Sequence, residues 1–407
     1  MIRYKITDKD RETQYQNMLR ATDNYNAENI NQVGNLKASK IRSLVNAYII
    51  METYKNKSKV AYAGEQFPNE ILFPFDIRPL NIESMAAFFA RSDAIEKFLK
   101  VTEENNLARD ICTNIRSSFG IALANCYPTP DIIMVNNHPC DCLAKLAYIM
   151  ADFYDKPYLA LDVPNYLNDD SISYLVKQFK SIMKDIERLT NIKYNEEKFT
   201  KVIDYSNQAK EYFINTVKLT EKYRLPEISR ELYEIFATNP WGLKEAVDIC
   251  KTLYEEAFEL SKKLDSNEKW KKVLWVGQLP NHTFEIIEYL EKHVEIIYWG
   301  ALMDSNMYLL DKEEPFKSLA IRSILYMWNT DRFKKSITDV YNRFKMDGII
   351  IINAWGCRNL QGLSQMLRVF ATENNIKYLT IDADYMDRNN YAFSHVKNRI
   401  DAFLEII

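Results

Sequence analysis

The chain has 407 residues, 53 Lys+Arg against 56 Asp+Glu for a formal charge of −3, 47% hydrophobic and 27% charged residues. That balance belongs to an ordinary globular protein and excludes disordered and collagen-like classes, while the near-neutral charge argues against the clustered basic surface of a nucleic-acid binder. No run approaches the ~20 apolar residues that span a bilayer, and Met1-Ile2-Arg3-Tyr4-Lys5 lacks the apolar core of a signal peptide, so the expectation is a cytoplasmic chain with neither membrane nor nucleic-acid partner.

In chain order, residues 1–56 carry helical periodicity without strand signals, with Ile41, Leu44, Val45, Tyr48 and Ile49 recurring at helical spacing. From there to 167 the pattern changes to short apolar runs between helical stretches: Val60 to Ala63, Asp131 to Val135 and Pro157 to Leu161. Uniformly apolar strands alternating with helices predict a parallel sheet covered on both faces. Residues 168–269 are rich in Lys, Glu, Leu, Ile and Tyr, and hold a helical period through 172–189, 198–223 and 241–264, with Pro226 and Pro240 as punctuation. The alternation returns over 270–407, with strands at 272–277, 294–298, 348–352 and 377–382. The expected organisation is therefore an N-terminal helical segment (1–56), a first α/β domain (57–167), a helical connector (168–269) and a second α/β domain (270–407). The two α/β units look like similar halves.

Nine glycines run from Gly34 to Gly362, and none falls in the G-x-G-x-x-G or G-x-x-x-x-G-K spacing that closes backbone amides around phosphates. ATP hydrolysis and NAD binding by those devices are not expected. Six cysteines in a reducing compartment read as buried thiols, metal ligands or catalytic groups rather than disulfides.

Open parallel sheets bind ligands beyond the carboxyl ends of their strands. The strand ending at Val135 runs into Asn136-Asn137-His138-Pro139-Cys140-Asp141-Cys142, and the strand ending at Ile352 runs into Asn353-Ala354-Trp355-Gly356-Cys357-Arg358-Asn359; each leads directly into a helix. Cys112 stands at the head of the helix before the first of these strands, where a helix N-terminus favours a thiolate. Cys126 and Cys250 lie in no polar strand-end loop and read as core filling. The spacing of Cys112, Cys140 and Cys357 matches no local C-x-x-C zinc or ferredoxin pattern.

Several runs together carry a resemblance: Ala63-Gly64-Glu65-Gln66-Phe67-Pro68-Asn69-Glu70-Ile71, Cys112 to Gly120, Asp131 to Asp141, Lys156 to Pro164, Gly356-Cys357-Arg358 and Asp382-Ala383-Asp384 with the ending Arg399 to Glu405. In order and spacing the chain resembles the (R)-2-hydroxyacyl-CoA dehydratase and benzoyl-CoA reductase family over about 57–407. The resemblance implies two Rossmann-like domains around a cleft, with a [4Fe-4S] cluster held by Cys112, Cys140 and Cys357 and one iron left open. It also implies an acyl-CoA substrate, a dimer with a related chain or a second copy, and a separate ATP-hydrolysing activator that delivers one electron. That electron makes a ketyl radical from the acyl-CoA and permits loss of an otherwise inert β-hydrogen.

Some positions depart from the family pattern or admit two readings. Phe73-Pro74-Phe75-Asp76 replaces the small residues usual after Glu70, which makes the pocket wall bulkier, and the Pro-Cys pair of some relatives is missing near Tyr326-Met327-Trp328-Asn329, which weakens a double-cubane reading. Cys142 is an alternative to Cys140. Glu70 is a candidate general base or an ion-pair and capping residue, and His138 a candidate donor to cluster or substrate or a structural histidine. His395 reads as a packing residue, Arg358 as a phosphate or cluster contact or an ordinary surface arginine, and Lys198 and Lys201 as a solvated face. The leading expectation is dehydration of a 2-hydroxyacyl-CoA. Its alternatives are a non-catalytic electron-relay or scaffold subunit, motivated by the bulky Phe73–Phe75 segment, and a reductase of the family.

Overall fold

The computed structural model describes residues 10–22, 34–55, 58–91, 94–266, 268–326 and 329–407. Of the expected helical lead, Arg11–Ala21 and Lys37–Tyr54 are helices, while 1–9, 23–33 and 56 lie outside the described residues. Asp10 caps the first helix by accepting from the Thr13 N–H. Arg11 then fastens that helix to the body: it pairs with Asp131 at 2.7 Å and donates to the Thr129 carbonyl at 2.9 Å.

Two parallel sheets organise the rest. The first contains β1 (Lys59–Ala63), β2 (Ile77–Asn81), β3 (Ile132–Asn136) and β4 (Tyr158–Leu161) in the order β2-β1-β3-β4. The second contains β5 (Lys272–Val276), β6 (Glu295–Tyr298), β7 (Gly348–Ala354) and β8 (Lys377–Ala383) in the matching order β6-β5-β7-β8. The first sheet shows why its strands are apolar throughout. Ala61, Ala63, Ile132 and Met134 enter one core, and Val60, Tyr62, Ile133 and Val135 enter another on the opposite face. Period-two alternation is therefore real but invisible in the sequence, because both faces are dry.

Strand β2 has no counterpart among the sequence expectations. Ile77-Arg78-Pro79-Leu80-Asn81 carries a proline and two polar side chains, and proline lacks the N–H that a central strand donates on both sides. The structure resolves the conflict by placing β2 at the edge, paired only with β1.

Between the sheets run the helices Asp169–Thr190, Glu196–Lys222, Pro226–Thr238 and Lys244–Ser261. Asn168 and Asn195 cap the first two with side-chain oxygens, and Pro226 opens the third. Leu175, Phe179, Ile182, Met183 and Ile186 form the buried stripe of the first. One apolar core runs from Ile132 and Met134 through Phe213 and Trp241 to Val273 and Ile350, so these helices are packed between the sheets. No described helix is long and apolar enough to cross a membrane.

The halves also match in their polar fittings. Lys59-Val60 and Lys272-Val273 open β1 and β5, and Gly64 and Gly277 follow them. Asp131 accepts the Val60 N–H at 2.9 Å, and Asp347 accepts the Lys272 N–H at 2.8 Å. At the carboxyl ends of the third strands, Asn137 donates to Asp162 and Asn353 donates to Asp382.

Candidate active site

With strand order 2-1-3-4, each sheet changes direction between its first and third strands, and a crevice opens there at the carboxyl edge. The residues delivered to that edge are Glu65 after β1, Cys140 after β3, Gln278 after β5 and Cys357 after β7. The two edges meet. Gly356 adopts φ +69°, and a Cβ there would lie 2.6 Å from the backbone nitrogen of Cys112, so glycine is what lets the Cys357 loop rest on Cys112. Asn359 donates to the Pro139 carbonyl at 2.9 Å, and Thr113 donates to the buried Asp384 carboxylate at 2.5 Å.

Cys112, Cys140 and Cys357 each stand at a helix N-cap, of Thr113–Leu123, Asp141–Tyr154 and Arg358–Glu373 respectively. First-turn N–H groups face each sulfur: those of Asn114 and Ile115 at Cys112, Leu143 at 3.3 Å from Cys140, and Asn359 and Leu360 at Cys357. Burial pushes all three thiols up, Cys140 strongly and Cys357 to about 12, and the thiols raise one another as negative charges would. The helix N–H groups oppose the rise. Tyr385 places its hydroxyl 3.3 Å from Cys112 Sγ. Cys142 sits two residues further on, partly exposed and without a capping bond to its sulfur, near Asp141 and Arg358. Cys126 and Cys250 are buried in the two cores, as expected.

No group of three or more His, Cys, Asp or Glu among the described residues is drawn close enough to hold one metal ion. In donor chemistry the three N-capping cysteines suit an iron–sulfur cluster, which thiolates would hold.

A cavity of about 1480 Å³ opens next to Tyr385, the partner of Cys112. Its inner wall includes Glu65, Glu83, Asn114, Gln278 and Tyr385; its apolar flank includes Met18, Ile50, Met85 and Phe88. The carboxyl pair was not singled out from sequence. Glu65 lies just past β1, and Glu83 lies in the first turn of Ile82–Arg91 just past β2. The Glu65 N–H donates to Glu83 Oε2 at 2.8 Å. Burial raises Glu65 to about 7 against hydrogen bonds from Gln278 and Tyr326, and burial together with the Glu65 charge raises Glu83 to about 8. A carboxylate after each of two neighbouring strand ends was the available signal.

Other sequence candidates land elsewhere. Glu70 is fully buried, and its oxygens are taken by Arg322 at 2.5 and 2.7 Å and by Ser206 at 2.9 Å. Burial works against its charge, but Arg322 and the hydrogen bonds win and hold it below the usual carboxyl range. A general base needs a free lone pair facing substrate, so this geometry gives Glu70 a structural part. His138 is half-buried in the β3 loop, its peptide to Pro139 cis. His395 and Arg358 are exposed. Lys198 pairs with Asp76, while exposed Lys201 lines the cavity. Phe73 does line the cavity, yet the wall it forms leaves the cavity open. Of the Tyr326–Asn329 run, Met327 and Trp328 lie outside the described residues.

A family profile described as "2-hydroxyglutaryl-CoA dehydratase, D-component" matches residues 66–407. Among curated proteins, the chain is 22% identical to the (R)-phenyllactyl-CoA dehydratase alpha subunit of Clostridium sporogenes, over 88% of this chain and 91% of the relative. It is also 22% identical to the (R)-2-hydroxyisocaproyl-CoA dehydratase alpha subunit of Clostridioides difficile, over 88% and 94%. A benzoyl-CoA reductase subunit of Thauera aromatica is 20% identical, over 75% and 78%.

Proposed function

The chain belongs to the 2-hydroxyglutaryl-CoA dehydratase D-component family, and we propose that it is a subunit of a cytoplasmic 2-hydroxyacyl-CoA dehydratase-type enzyme, whose Cys112, Cys140 and Cys357 hold a [4Fe-4S] cluster beside the acyl-CoA site. The observation that carries this reading is the convergence of three N-capping thiols from both halves where the two sheet edges meet, with Tyr385, the partner of Cys112, lining the adjoining cavity. When bound, such a cluster supplies a one-electron path and an iron position open to a substrate oxygen.

The chain's own residues do the rest. Helix N-termini aimed at three sulfurs favour their thiolate form, which metal binding requires. Tyr385 stands between Cys112 and the cavity, its hydroxyl available to the sulfur or to a substrate oxygen. The Glu65–Glu83 pair keeps a proton at the inner wall near neutral pH. Exposed Lys40, Lys201 and Lys244 along the outer cavity suit the phosphates of a CoA. The net reaction removes the 2-hydroxyl with one β-hydrogen as water and leaves an enoyl-CoA. The activating electron comes from a separate ATPase and is not consumed. The relatives' naming as alpha subunits supports a second chain as partner. The open cavity favours substrate turnover over an electron-relay role, and similarity to a benzoyl-CoA reductase subunit keeps reduction as the competing chemistry.

Iron and sulfide analysis with electron paramagnetic resonance on anaerobically purified protein tests the cluster. A brown protein is expected, with iron lowered by Cys112→Ser, Cys140→Ser or Cys357→Ser and unchanged by Cys250→Ser. A colourless, iron-free preparation would sink the reading. Loss of iron in Cys142→Ser with none in Cys140→Ser would reassign the ligand. Product analysis with activator and reductant separates an enoyl-CoA from a reduced acyl-CoA.

A further inference from the structure

The cavity is electrically polar along its length. Its outer part carries exposed Lys40, Lys201 and Lys244. Its inner part, beside Tyr385 and the thiols, carries two carboxyl groups, Glu65 and Glu83, on neighbouring strand ends. The three arginines that also line it are already engaged: Arg42 binds Glu231 at 2.6 Å, Arg91 binds Glu234 at 3.0 Å, and Arg78 lies 3.7 Å from Glu52. Each is matched by a glutamate, so none is left unpaired to receive an anion beside Glu65 and Glu83.

A separate observation points the same way. Asn69, only 8% exposed, lines the cavity, and its Oδ1 has no hydrogen-bond partner. An acceptor left dry costs free energy unless something donates to it. Asn69 Oδ1 is thus an acceptor on the cavity wall that a donor on the acyl chain would satisfy.

Resting on the acyl-CoA reading above, we propose that the inner pocket selects an acyl chain bearing a hydrogen-bond-donating or cationic group and rejects one ending in a carboxylate. A carboxylate would bring like charge to the Glu65–Glu83 pair, which holds its remaining charge in the same wall, and no donor to Asn69 Oδ1, whereas an ammonium or amide N–H donates to either. Like-charge juxtaposition in a desolvated site is a strong discriminator.

Three thioesters of matched length test this: β-alanyl-CoA, butyryl-CoA and succinyl-CoA, which end in ammonium, methyl and carboxylate. Their binding to the full chain, purified anaerobically, is measured by calorimetry with free CoA as reference. β-Alanyl-CoA should bind tightest and succinyl-CoA weakest, on the order of tenfold or more below butyryl-CoA. Glu65→Gln and Glu83→Gln should each narrow that gap, with circular dichroism confirming the fold. Succinyl-CoA binding as tightly as butyryl-CoA, or β-alanyl-CoA no better than butyryl-CoA, overturns the selectivity and leaves the acyl-CoA reading standing. Failure of all three thioesters and of CoA itself to bind overturns the acyl-CoA reading, and the selectivity with it.

Discussion

Replacing Glu70 by Gln separates a structural carboxylate from a catalytic one. In the folded protein Arg322 donates from Nη1 to Oε1 and from Nη2 to Oε2, and Ser206 donates to Oε1. Glu70 and Arg322 are 0% and 7% exposed, so water cannot replace a lost partner. Glutamine keeps the shape but turns one acceptor into an N–H₂ that faces the guanidinium, donor against donor. Breaking one side of a buried ion pair costs about 3–5 kcal/mol, because the remaining charge stays buried. Lys210 aggravates the loss. It is fully buried, donates to the carbonyls of Ser305 and Asn306, and is pushed well below its usual value by burial and by Arg322, with Glu70 as the opposing charge.

The urea midpoint of Glu70→Gln should therefore fall by about 1 M or more if the denaturant slope is near 3 kcal/mol per molar. The double variant Glu70→Leu with Arg322→Met should recover most of it, since removing both charges removes the uncompensated one. The pH dependence carries a sign. Because the folded-state value is lowered, the stabilisation from Glu70 is complete above the ordinary carboxyl range and is lost as pH falls through the lowered value. A Glu70→Gln protein with an unchanged midpoint and no turnover would refute this and restore Glu70 as a reacting group.

Gly356→Ala should be worse than a loop substitution normally is, because its Cβ would meet the Cys112 backbone at 2.6 Å with φ at +69°. Iron content and midpoint should fall together, whereas Gly362→Ala, exposed inside a helix with nothing within 4 Å, should leave iron unchanged and hold or raise the midpoint. Glu65 and Glu83 are raised to about 7 and about 8, so their burial costs nothing below the ordinary carboxyl range and destabilises the fold progressively as pH rises from there toward 8. The wild-type midpoint should decline over that window, and Glu65→Gln combined with Glu83→Gln should flatten the decline; an identical slope in the variant would contradict the assigned pair. Arg11→Ala should loosen the Arg11–Ala21 helix, which hydrogen exchange would register as faster amide exchange there and not in β7.

What the sequence revealed follows from which signals are local. The long helices were legible because Leu175, Phe179, Ile182 and Ile186 repeat at 3.6, and the inner strands because runs such as Ile349 to Ile352 admit no other place than a covered sheet. Cys140 and Cys357 could be placed at strand ends because each strand and the helix after it are continuous in sequence. Strand β2 was hidden by Pro79, whose meaning depends on whether the strand is central or at an edge. The Glu65–Glu83 pair was hidden for a similar reason: 18 residues apart, the two carboxyls share no motif and meet only because β1 and β2 are neighbours. Glu70 stayed open from sequence because an acid beside a turn looks the same whether it faces substrate or an arginine 252 residues away.

The repeated half explains why the thiols number three. Each half places a helix immediately before its third strand and another immediately after it, and the crevice rule puts both of their N-termini near the switch point. Two halves therefore offer four corresponding N-caps. Cysteine occupies three of them: Cys112 and Cys140 in the first half, and Cys357 in the second. The fourth, before β7, is Asn329, whose side chain accepts the Arg332 N–H and donates to the Asn165 carbonyl. An asparagine committed to capping its own helix offers no thiolate, so the symmetric frame is filled asymmetrically. Three sulfurs and one asparagine leave the four-fold frame one thiolate short, which is what the proposed reading requires of a bound group that keeps one side for substrate.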